Sequence, residues 1–125
     1  MIEESYVSFD TARMLKEAGF DVPCFNQYTD RGTVWHCDCP ENFNISQCAT
    51  SCPTQALATR WLREVHRIVV DATFIPPSTD GNAWRYFIGE MDDMVWNGDY
   101  VPSDEFYETY EAALEAGLQE AVKLI

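Results

Sequence analysis

Two runs of alternating side chains flank a turn-forming segment, and together they restrict the chain to folds built on an antiparallel hairpin. In Ile68 to Ile75, the residues Ile68, Val70, Ala72 and Phe74 fall on one face. In Ala83 to Met91, Trp84, Tyr86 and Ile88 face one way and Arg85, Phe87 and Gly89 the other. Between them, Pro76-Pro77-Ser78-Thr79-Asp80-Gly81-Asn82 is a loop by composition. Parallel strands need a crossover of about a dozen residues or more, so a link this short makes the pair antiparallel. Val69 and Ile75, on the second face of the first run, predict burial on both sides for part of it.

Helical periods surround this hairpin. Phe9, Ala12, Leu15 and Ala18 recur at helical spacing after a capping Ser8, and Gly19 ends the helix in the left-handed conformation. A second helix is predicted from about Pro53, with Leu57, Ala58, Trp61, Leu62 and Val65 on one arc and Arg60, Arg63 and Arg67 on the opposite one. A third begins between Ser103 and Thr109; Tyr110, Ala113, Leu114, Leu118, Ala121, Val122 and Ile125 form its apolar face, with Glu108, Glu111 and Glu115 toward water.

Between the first two helices, Cys24 to Tyr28 and Thr33 to Cys37 read as a hairpin across Thr29-Asp30-Arg31-Gly32, and Asp38 to Ser51 as loop. Met94 to Trp96 reads as a short edge piece before the turn signal Asn97-Gly98. The expectation is one α+β domain over residues 1–125, in the order α-β-β-α-β-β-α. It has a small antiparallel sheet of about four short strands, with three helices packed on it.

Charge then limits the partners. From Tyr86 to Val122 there are ten carboxylates and no Lys or Arg, and the whole chain carries a net charge of −13. A polyanion repels nucleic acid and anionic membrane, so direct binding to either is not expected. With 46% hydrophobic residues the chain nonetheless has the apolar area for a core. No apolar run approaches the roughly 20 residues of a membrane helix. The Met1-Ile2-Glu3-Glu4 start lacks the charge of a signal peptide, which predicts a cytoplasmic address.

Three stretches resemble a known family when taken together. They are Ser5 to Phe20, Pro53 to His66 with its Pro53-Thr54-Gln55-Ala56-Leu57-Ala58 opening, and Tyr110 to Leu118. The set is similar to a family of small uncharacterised proteins of gut bacteria and of their phages and prophages. The resemblance implies a phage or mobile-element origin and no particular catalytic or binding residue. The cysteine cluster between Asp30 and Cys52 is not part of it.

That cluster is the sharpest chemical feature. His36-Cys37-x-Cys39 followed by Cys48-x3-Cys52 offers thiolates and an imidazole of the kind a structural zinc site uses, with Cys37, Cys39, Cys48 and Cys52 as ligands. The spacing is not the common Cys-x2-Cys knuckle, and the alternatives are free thiols or, in oxidised protein, a disulfide between two of the five cysteines. Cys52 ahead of the second helix has the position of an activated thiol, but no orienting partner can be named for it. Asp71 and Glu90 are candidate cross-strand neighbours for acid–base work.

The Arg60, Arg63, Arg67 stripe suits phosphate, an acidic protein surface or the acidic third of the chain itself, and Trp96 is the tryptophan most expected at the surface. The sequence therefore predicts a small, non-enzymatic accessory protein, without a cofactor, that binds another protein, with a basic partner favoured by charge. A zinc-binding structural protein and an acidic nucleic-acid mimic are the alternatives.

Overall fold

The computed structural model describes residues 2–76, 78–92 and 100–125. The edge piece expected at Met94 to Trp96 and the turn at Asn97-Gly98 lie outside the described residues. The chain is α+β and follows the predicted order of helix, strands, helix, strands, helix. Its described strands number six, in two antiparallel three-stranded sheets, where about four in one sheet were expected. The chain divides into two compact units, Met1–Ala58 and Thr59–Ile125.

The first unit opens with α1 (Phe9–Glu17). Ser8 caps it, its Oγ accepting the Thr11 N–H at 3.3 Å, and Gly19 leaves it at φ 94°. Leu15 and Phe20 are fully buried, and the Phe20 N–H donates to the Leu15 carbonyl, which folds the chain back after the helix. Strands β1 (Cys24–Thr29), β2 (Val34–Glu41) and β3 (Ala49–Ser51) form a sheet in the order β2-β1-β3. The predicted hairpin is β1–β2, turning at Gly32 with φ 82°. An added Cβ at Gly32 would stand 2.9 Å from the Phe9 ring, so this turn needs glycine for space as well as for dihedral angle.

Two pieces of the segment expected to be loop are strand. β2 continues past Cys37 to Glu41 after a register shift opposite Cys24 and Asn26, and Ala49–Ser51 pairs with the other edge of β1. Neither carries an alternating pattern, because β2 is exposed along almost its whole length and β3 is only three residues long. A single 3-10 turn, Phe43–Ile45, buries Phe43 beside β3, where Ser51 Oγ accepts the Phe43 N–H. Lys16 Nζ donates to the Ser46 and Ala49 carbonyls at 2.6 and 2.7 Å and fastens this loop to α1.

Helix α2 (Gln55–Val65) starts two residues after the expected Pro53, with Thr54 Oγ1 accepting the Leu57 N–H at 3.1 Å. Ala58, Trp61 and Leu62 are buried as the arc predicts, but Val65 in the last turn is 60% exposed.

In the second unit, β4 (Ile68–Phe74) and β5 (Trp84–Glu90) form the antiparallel pair read from the alternation, and β6 (Val101–Pro102) adds to the far edge of β5. The pairs Val70 with Ile88, Ala72 with Tyr86 and Phe74 with Trp84 share one face. Helix α3 (Tyr110–Val122), capped by Thr109, lies against β4 and β5. Its Ala113, Leu114, Leu118 and Ala121 join Ile68, Val70 and Ile88 in the core. No helix among the described residues is long and apolar enough to cross a membrane.

Candidate functional site

The sequence-predicted metal ligands occupy different environments. Cys37 is half-buried on β2, where its sulfur accepts from Gln27 Nε2 at 3.3 Å. Cys39 and Cys48 are exposed, whereas Cys52 is buried. His36 Nδ1 lies 2.7 Å from Asn26 Oδ1, and the His36 ring stacks on Phe25 at 6.2 Å. Among the described residues, no group of three or more His, Cys, Asp or Glu side chains is gathered so as to hold a metal ion.

The predicted arginine stripe is not a single helix face: Arg60 and Arg63 lie on α2, whereas Arg67 falls beyond its end in the left-handed region at φ 57°. Arg60 pairs with Glu64 one turn on at 3.0 Å, and Arg67 pairs with Asp92 at 2.9 Å, which links the end of α2 to the acidic stretch. Arg63 is exposed and forms no ion pair among the described residues. Trp96 lies outside the described residues. Asp71 stands opposite Phe87, and Glu90 opposite Ile68, so these two carboxylates are not direct cross-strand partners.

What the second unit does assemble is a cleft of about 480 Å³ where β5, β6 and the C-terminal turns of α3 meet. Among the described residues, three carboxylates line it, Glu90, Asp104 and Glu120, together with Tyr86 and the apolar side chains of Ile88 and Leu124. Lys123 holds Glu120 in an exposed ion pair at 2.9 Å. Glu90 and Asp104 form no ion pair among the described residues.

The wall formed by β6 is fixed by Arg85. Its guanidinium donates through Nε and Nη2 to the Ser103 carbonyl and lies 4.7 Å from the Phe106 ring centre and 5.8 Å from that of Phe87. Buried Ser103 in turn donates its hydroxyl to the Glu105 carbonyl at 2.7 Å.

Burial raises the pKa of Tyr86, and the negative charge of Glu120 adds to the shift, with further contributions from Tyr107, Asp104 and Glu105. The same causes, burial first and then Glu105 and Glu120, raise Tyr107, whose ring lies 6.3 Å from that of Tyr86. The cleft therefore offers carboxylate acceptors and an aromatic wall to a visitor, and among the described residues no side chain lining it carries a positive charge. That chemistry suits a cation bearing N–H donors.

Its residues come from separate stretches of the chain, around 86–90, 101–104 and 120–124, so composition alone could not have assembled them. The signal in the sequence was the absence of Lys and Arg from Tyr86 to Val122. No protein-family model, curated protein or solved structure matches the chain.

Proposed function

We propose that the protein is a small non-enzymatic binding module that engages a basic partner protein, the cleft of the second unit receiving a Lys or Arg side chain of that partner. The family resemblance adds a phage or mobile-element setting to this reading. The observation that carries it is the convergence of Glu90, Asp104 and Glu120 on one apolar-walled cleft beside Tyr86. A carboxylate pair satisfies a guanidinium or ammonium through charge-assisted hydrogen bonds, and the apolar wall takes the aliphatic stem. The net charge of −13 steers such a partner toward the surface.

Titration calorimetry with a synthetic peptide of repeated Lys-Ala-Ala units tests it. Saturable binding is expected, weakened by salt and reduced by about fivefold or more in the double variant Glu90→Gln, Asp104→Asn. A variant that binds as tightly as the parent would remove the cleft from the interface.

A further inference from the structure

Strand β2 closes one side of the first sheet. Among the described residues it pairs only with β1, and its other edge is free. Natural proteins blunt such edges with charge, proline or a bulge, because unpaired N–H and C=O groups invite another strand. The second half of β2 has all of these. Asp38, Pro40 and Glu41 are exposed, and Cys37 to Pro40 bulge opposite Phe25 alone, between the pairs Asn26–His36 and Cys24–Glu41. The first half has none of them. Val34, Trp35 and His36 pair regularly with Tyr28, Gln27 and Asn26, and Val34 and Trp35 are 50% and 61% exposed.

The hydrogen-bond register fixes which main-chain groups point outward. In an antiparallel pair, opposed residues alternate between those that exchange both bonds and those that exchange none. The Thr29 N–H donates to the Thr33 carbonyl at 2.8 Å, so this is a bonded position, and by alternation Gln27–Trp35 is the next. The Asn26 carbonyl agrees, since it turns away from β2 to accept the Cys52 N–H at 2.9 Å. Trp35 thus directs its N–H and C=O toward β1, whereas Val34 and His36 direct theirs to the free edge.

We propose that this edge is an interface for a second copy of the chain, the two β2 strands pairing antiparallel about a two-fold axis at Trp35. That axis sets Val34 of each copy opposite His36 of the other, and these are the residues whose main-chain groups point outward. Trp35 then faces Trp35 of the second copy at a non-bonded position, where side chains approach closest and aromatic pairs are favourable. Continuing the register, Gly32 falls opposite Asp38 of the second copy, which sets exposed Arg31 beside that carboxylate. Arg31 and Asp38 form no ion pair among the described residues of one chain. The patch is therefore complementary to itself in main-chain bonds, aromatic surface and charge, as a two-fold interface requires. The bulge after Cys37 confines the pairing to Thr33 through Cys37, so the dimer is weak and concentration-dependent.

Sedimentation of the full chain from micromolar to near-millimolar concentration tests it, with amide hydrogen exchange measured by NMR on the same samples. A reducing agent keeps exposed Cys39 and Cys48 from cross-linking, and about 0.15 M salt screens the charge of −13 on each copy. A reversible monomer–dimer equilibrium is expected. Protection of the Val34 and His36 amides should rise with concentration, while that of the Trp35 amide, already bonded to β1, stays constant. Trp35→Glu is expected to weaken the dimer by about tenfold or more. Val34→Pro removes one outward donor at the first residue of the strand and should weaken it too. Arg31→Asp should weaken it, and Asp38→Arg added to that variant should restore it. A chain that stays monomeric throughout overturns the proposal and leaves the edge to an extended segment of another protein. So does a dimer in which the Val34 and His36 amides exchange as fast as in dilute protein, or one that Trp35→Glu and Val34→Pro leave intact.

Discussion

Gly117 of α3 lies so close to Tyr86 of β5 that a Cβ added to the glycine would stand 2.9 Å from the Tyr86 Cβ, with Val70 Cγ1 equally near. The helix backbone rests at this point directly on the Tyr86 and Val70 side chains of the sheet. In a solvent-exposed helix, glycine to alanine is stabilising by about 1 kcal/mol. Here the overlap reverses the sign, and Gly117→Ala is expected to destabilise by about 1–3 kcal/mol in urea titration.

Arg67 occupies the left-handed region at φ 57°, two residues after the end of α2, where helices commonly place glycine. Its exposed ion pair with Asp92 offsets little of that strain. Arg67→Gly is expected to leave stability unchanged or raise it by about 0.5 kcal/mol, while Arg67→Val lowers it by more than 1 kcal/mol, to roughly 2. Chemical denaturation of both variants checks the difference.

Arg85 contributes donors and a flat cation at one position. Arg85→Ala is expected to cost about 2 kcal/mol by loss of the bonds to the Ser103 carbonyl and the contact with Phe106. Arg85→Lys restores only part of this, because an ammonium does not reproduce the planar fork. If the cleft binds as proposed, affinity for the lysine peptide falls with the loosened β6 wall.

Tyr28 is buried with its hydroxyl donating to the Val7 carbonyl at 2.6 Å. Tyr28→Phe keeps the ring contact with Phe9 and removes that bond, so a loss of about 1–1.5 kcal/mol is expected in thermal or urea unfolding.

Cys24 gives the reduced protein a pH dependence of defined sign. Its thiol pKa is raised in the folded state from 9.0 to about 11, so the folded state holds the proton more tightly than the unfolded one. The resulting stability is fully present below about pH 9 and disappears as pH rises to about 11. The urea midpoint of reduced parent protein should therefore fall more steeply than that of Cys24→Ala over this interval. At pH 8 a thiol reagent should modify exposed Cys39 and Cys48 first and leave Cys24 for last.

The parts of this fold legible in the sequence are those where one face is buried and the other is not. Ile68, Val70 and Ala72 alternate because α3 covers only one side of their sheet, and Leu15, Leu62 and Leu118 mark helices in the same way. β2 hid its second half because Asp38, Cys39, Pro40 and Glu41 are all exposed, so burial imposes no period there. β3 was hidden by brevity.

The candidate sites failed to show for a different reason. Cys24 lies outside the His36 to Cys52 cluster in sequence, and only the register of β1 on β3 sets it on the same buried face as Cys52. Asp104 and Glu120 are separated in the sequence, and only the placement of β6 and α3 brings them to one cleft.

β2 has one further consequence. Its Trp35 is 61% exposed, and the strand is held chiefly by main-chain bonds to β1 and a few polar contacts such as Gln27 with Cys37. A strand held by its backbone is nearly indifferent to the identity of its side chains. Residues 34–41 can therefore drift in sequence while the hairpin persists, which makes this ribbon the region where new surface chemistry can arise without loss of the fold.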